Sequence, residues 1–85
     1  MQYNIYTEDL KPRKVEKTIS KYFEGFNIQK IIGFWRGAKE KSILISIVVN
    51  EKQDAKIKKL ATEIKTLLNQ EAVLVQRINN NNWLV

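Results

Sequence analysis

In Ser42-Ile43-Leu44-Ile45-Ser46-Ile47-Val48-Val49 the side chains are almost all branched and apolar, the composition of a buried β-strand. A strand sends alternate residues to opposite sides, so Ile43, Ile45, Ile47 and Val49 share one face, and Leu44, Ser46 and Val48 share the other. A surface strand would show one polar face. Here both faces are largely apolar, which predicts a central strand with a cover on each side.

Immediately upstream, Ile28 to Arg36 is β-branched and aromatic, and the polar Gly37-Ala38-Lys39-Glu40-Lys41 separates the two runs. This predicts a hairpin of strands 28–36 and 42–49. Downstream, Ile57, Leu60, Ala61, Ile64, Leu67 and Leu68 recur at helical spacing, predicting an amphipathic helix over 52–69 with Asn50 or Asp54 as its cap. Further out, Gln2 to Thr7 alternates Tyr3, Ile5 and Thr7 with Asn4 and Tyr6 and reads as a first strand. Glu8-Asp9 ahead of Pro12 carries the acidic and proline signals of a helix start. Val15, Ile19, Tyr22, Phe23 and Phe26 then mark an apolar face broken at Gly25, so the helix is predicted over 12–24. Ala72 to Ile78 supplies a fourth strand. Asn79 to Asn82 is turn-forming, and Trp83-Leu84-Val85 after it is either a short fifth strand or the end of a tether.

Strand, helix, hairpin, helix, strand is the βαββαβ order of a ferredoxin-like α+β fold, a four-stranded antiparallel sheet with two helices on one face. One domain over 1–78 is expected, with 79–85 as a turn and tail. Leu44 and Val48 point to the face without helices, and a second copy of the chain is expected to cover them, with Trp83 as a further contact between copies. A homo-oligomer is the expected state.

Composition narrows the function classes. The 85 residues carry no cysteine and no histidine, which removes disulfides, thiolate and imidazole metal sites, and nucleophile–histidine catalysis. No metal, no cofactor and no enzymatic activity are expected. No apolar run approaches the length of about 20 residues that spans a bilayer, so no membrane partner is expected, and the N-terminal Met1-Gln2-Tyr3-Asn4 points to the cytoplasm. Fifteen Lys and Arg against nine Asp and Glu give a net charge of +6, a field that favours anionic partners or simply keeps a small domain soluble. Lys14, Lys17 and Lys21 beside Arg13, and Lys52, Lys56 and Lys59, form ridges that either bind phosphate backbones or are solvated. The third strand lacks the aromatic residues that stack bases on an RNA-binding sheet, leaving Tyr3 and Tyr6 as the remaining opening.

The densest cluster of special residues is Gly33-Phe34-Trp35-Arg36-Gly37 with Lys39 and Glu40. It lacks a Walker ending and a following helix, so it is no phosphate loop. Trp35 offers a flat ring, Arg36 a planar cation, Lys39 a mobile one and Glu40 an acceptor, types that together hold a nucleobase and its phosphates. The alternative is structural: Phe34 or Trp35 packs under the helices and Gly33 lets a helix approach. Arg77 on the fourth strand completes the candidate ligand-binding set.

Tyr22-Phe23-Glu24-Gly25-Phe26, Gly33 to Gly37 with Glu40 and Ser42, and Asn69-Gln70-Glu71-Ala72-Val73 resemble small accessory proteins of bacteriophages and other mobile elements, over about residues 20–75. That resemblance implies a non-enzymatic role against host defence, by sequestering a nucleotide signal or by capping a defence protein. The expectation is a binding protein for a small anionic ligand. Its rivals are an inhibitor of a host protein and a basic nucleic-acid-binding module.

Overall fold

The isoleucine-rich stretch forms the inner part of β3 (Ala38–Val48), where Ile43, Ile45 and Ile47 are each no more than 3% exposed. The computed structural model describes residues 1–79 except the side chain of Trp35, so the expected fifth strand or tether, Trp83 included, lies outside the described residues. Around β3 the chain runs β1 (Gln2–Glu8), α1 (Pro12–Ser20), β2 (Asn27–Trp35), then α2 (Asp54–Leu67) and β4 (Leu74–Ile78). The strands pair antiparallel in the order β2-β3-β1-β4, the ferredoxin-like α+β arrangement that the element order predicts.

Both helices press their apolar stripes on one face of this sheet. Val15 and Ile19 of α1, and Ile57, Leu60 and Ile64 of α2, join Tyr3, Ile5 and the three β3 isoleucines in one buried cluster. Each fully buried branched side chain contributes about 1.5–3 kcal/mol. On the other face stand Gln2, Asn4 and Tyr6 of β1, opposite Val48, Ser46 and Leu44 of β3. Asn4 Oδ1 on this face accepts from Ser46 Oγ across the strands at 3.2 Å and from Gln2 Nε2 within β1 at 2.8 Å. Asn4 is only 6% exposed although no helix covers it.

The element ends depart from expectation for local reasons. Glu8 still belongs to β1, and the Asp9 amide donates to the Lys41 carbonyl, so neither acid reaches the first turn of α1. Lys11 caps that helix in a left-handed conformation, φ 46°, with Pro12 following. The helix stops at Ser20, and Tyr22 and Phe23 pack from a turn in which both amides bond the Ile19 carbonyl. At the start of α2 neither Asn50 nor Asp54 caps: Gln53 holds the cap position without a side-chain bond, and Asp54 is the first helical residue. Its carboxylate is engaged elsewhere. The far end closes on Asn69, φ 53°, with Asn69 and Gln70 amides returned to the Thr66 and Lys65 carbonyls.

The hairpin is longer than the sequence predicts. Its turn is Arg36-Gly37, with φ of 50° and 78°, the left-handed pair that suits a two-residue connection. Pairing resumes at Trp35↔Ala38, so Ala38 to Lys41 is strand rather than loop. Both sides of this ribbon are solvated, and its lysines and glutamate therefore carry no hydropathy signal of a strand.

Candidate functional site

A groove of about 430 Å³ runs between α2 and β4. It exists because β4 is short and stands at the sheet edge, where the helices do not close over it. Ile57 and Ala61 of α2, with Val73 and Val75, give it an apolar floor. Lys58, Lys65 and Arg77 rim it, with Glu71 at the loop before β4. Lys58 and Lys65 are seven residues apart on one helix, about 10 Å along its axis. Among the described residues neither pairs with a carboxylate.

One end of the groove is fixed by a bonded cluster. The Tyr3 hydroxyl donates to Asp54 Oδ1 at 2.5 Å and accepts the Gln53 amide at 2.8 Å. Arg77 Nη1 donates to Asp54 Oδ2 at 2.7 Å, and Lys52 Nζ stands 3.5 Å from the same oxygen. The Tyr3 hydroxyl, and then Arg77, hold the Asp54 carboxyl below the usual carboxylate range against the opposing effect of burial. Burial, reinforced by the Asp54 hydrogen bond, pushes the Tyr3 hydroxyl up. Asp54 thus orients Arg77 while neutralising it in part, and Lys58 and Lys65 supply the remaining positive field. Apolar floor and cationic rim together suit an anion with a flat or aliphatic body.

The sequence-predicted ligand residues divide. Arg36, Lys39 and Glu40, and the backbone of Trp35, lie at the hairpin tip, with Lys39 and Glu40 on opposite faces of the ribbon. Arg77 does not join them. It pairs with Tyr3, which pairs with Ile47, so it lies eight β3 positions from Lys39, about 27 Å along the strand. Phe34 is 73% exposed and does not pack under the helices, which overturns that structural reading for Phe34. Gly33 faces away from the helices, its nearest outside neighbour being Ser42 Oγ, so helix approach is not what it serves. Tyr3 is buried on the helix side, and Tyr6 on the open face donates to Gln76 Oε1 at 3.3 Å.

The helix lysines are partly engaged. Lys21 pairs with Glu63 at 3.2 Å, Tyr22 also donates to Glu63, and Lys56 stands 4.6 Å from the Phe23 ring centre. Lys58 and Lys65 escaped the sequence reading because they border the apolar stripe of α2. Their spacing was the available signal, and the strand that makes them a rim follows α2 in the chain.

Charge is segregated across the molecule. The open sheet face carries Glu8 and Glu40 at its margin, whereas the strand cations Lys30, Lys39, Lys41 and Arg77 all sit at helix-side positions. The other Lys and Arg lie on helices, in loops or in the Arg36-Gly37 turn. Not one of the fifteen is on the open face.

Fold and groove define a ferredoxin-like α+β domain with an open sheet face free of cations and a cation-rimmed edge groove. Its backbone resembles the crystal structure of a DUF3240 family protein from Shewanella baltica, with a TM-score of 0.69 and 17% identity, over 99% of this chain and 96% of that one. A de novo designed protein, Foldit4, matches at a TM-score of 0.49 and 16% identity over 94% of each chain. No family model and no curated protein matches the sequence. The likeness to the Shewanella structure shows the fold.

Proposed function

We propose that this protein is a non-catalytic cytoplasmic binding domain that self-associates through its open sheet face and captures a small, nucleotide-like anion in the groove between α2 and β4. The observation that carries the reading is the groove itself: Arg77, held in place by Asp54, and the lysines 58 and 65 ring an apolar floor large enough for a ring system. A base or other flat body lies on Ala61 and Val75, and its phosphates meet the lysines and Arg77. The absence of histidine and cysteine favours capture over turnover.

Self-association has its own support. A chain of net charge +6 repels its copies except where cations are missing, and the open face is such a place. It also offers Leu44 and Val48, the latter 68% exposed, and, across Tyr6 from Leu44, the exposed Leu74. In the phage setting that the sequence resemblance implies, an oligomer of this kind would act as a sponge for a nucleotide signal.

Calorimetry with cyclic and linear nucleotides tests the groove. Binding should be lost in Lys58→Glu/Lys65→Glu while the melting temperature stays near that of the parent. Retention of a host protein from lysate, with no nucleotide binding, replaces this reading with the inhibitor. A gel shift that weakens steeply with salt replaces it with nucleic-acid binding.

A further inference from the structure

The β2–β3 ribbon continues past the sheet it belongs to. β1 pairs with β3 no further than Glu8↔Ser42, whereas β2 and β3 stay paired from Ile32↔Lys41 to Trp35↔Ala38. The residues beyond Ser42 therefore form a two-stranded arm. On its helix-side face, Ile32 is 57% and Phe34 73% exposed, two residues apart on one strand. Their cross-strand partners on the same face are Lys41 and Lys39, and Lys30 precedes Ile32 on that side. Glu40 stands on the opposite face, across from Gly33. The Asp9 amide ties the β1–α1 loop to the Lys41 carbonyl, which brings the exposed Leu10 to the same end of the molecule.

We propose that this arm docks on an anionic lipid surface, with Ile32 and Phe34 entering the headgroup boundary and Lys39 and Lys41 meeting lipid phosphates. An apolar column beside a cationic column matches such a boundary, because lysine stems lie along apolar surface while their ammonium groups reach outward to phosphate. Two other occupants fit the arm less well. The centre of a protein interface is depleted of lysine, and here a lysine stands directly across from each apolar residue. Single-stranded nucleic acid stacks on aromatic planes, and Ile32 offers none. The sequence pointed away from membranes because hydropathy registers spanning runs, and a ribbon that sets apolar residues of one strand across from lysines of the next contains no such run. The proposal is independent of the groove, which lies toward the opposite end of β3.

Co-sedimentation of the intact protein with lipid vesicles tests it. Vesicles of phosphatidylcholine with roughly one-third phosphatidylserine should be bound at least about tenfold more strongly than phosphatidylcholine alone, and less well as salt rises. Ile32→Ser/Phe34→Ser and Lys39→Glu/Lys41→Glu should each lower that binding about tenfold, with the melting temperature unchanged because all four side chains are exposed. Equal binding to neutral vesicles, or parental binding by either variant, overturns the proposal. Dissociation of an oligomer by Ile32→Ser/Phe34→Ser overturns it in favour of a contact between copies. Binding of single-stranded RNA but not of vesicles, lost in the same variants, overturns it in favour of nucleic acid.

Discussion

The Tyr3 hydroxyl and the Asp54 carboxylate, 51 positions apart in sequence, meet at 2.5 Å and lock the start of α2 to the middle of the sheet. Tyr3 is otherwise a core residue, so one side chain both fills the interior and positions the acid that holds Arg77. Stability and groove geometry are thereby linked.

Tyr3→Phe keeps the ring and removes the hydroxyl, leaving the Gln53 amide and Asp54 without this partner. A loss of about 1–3 kcal/mol is expected. Urea unfolding checks it: the midpoint should fall at constant slope, and an unmoved midpoint contradicts the assigned bond.

Acid should weaken the fold through Asp54 and Glu63. Their folded carboxyls are held low, by the Tyr3 and Tyr22 hydroxyls first and then by Arg77 and Lys21. A lowered folded value stabilises in full above the unfolded value, near pH 4, and that stabilisation is lost as pH falls through the folded value. The tyrosines act at the other limb: their raised values contribute below about pH 10 and the contribution is lost as pH rises beyond it. Melting temperature against pH should show both limbs, and Asp54→Asn should shrink the acid one to the part that Glu63 carries.

Leu44→Lys/Val48→Lys places cations on the face that has none. Sedimentation should show a protein smaller than the parent with the same circular dichroism, since both positions lie outside the core cluster. A parent that is already monomeric at every concentration removes the self-association reading.

Gly37→Val puts a β-branched residue at φ 78°, at a cost of about 1–2 kcal/mol. A Cβ there meets nothing within 4 Å, so the cost is conformational rather than steric crowding. Amide exchange should accelerate along 32–41 while the amides of Ile45 and Ile5 stay protected, and uniform acceleration would show that the arm and the core unfold together.

The element order, the central place of β3 and the buried stripe of α2 were legible because Ile43, Ile45 and Ile47, and Ile57, Leu60 and Ile64, repeat with the periods of their elements. The groove was not. Arg77 was singled out on the fourth strand but grouped with the hairpin residues in one site, because no local pattern reports that β4 lies beside β1 rather than beside β2. Asp54 read, alongside Asn50, as a candidate helix cap, and a tyrosine from the first strand took its carboxylate instead. The β3 half of the arm was hidden for the converse reason: a strand with solvent on both sides follows no hydropathy alternation.

The segregation of charge also bears on kinetics. With every lysine and arginine away from the open sheet face, an approaching anionic partner is steered toward the helix layer and the arm, and its encounter rate falls as ionic strength rises. Were two copies to meet through that face as proposed, the same counter-ions would screen their mutual repulsion, so salt should slow the first association and hasten the second.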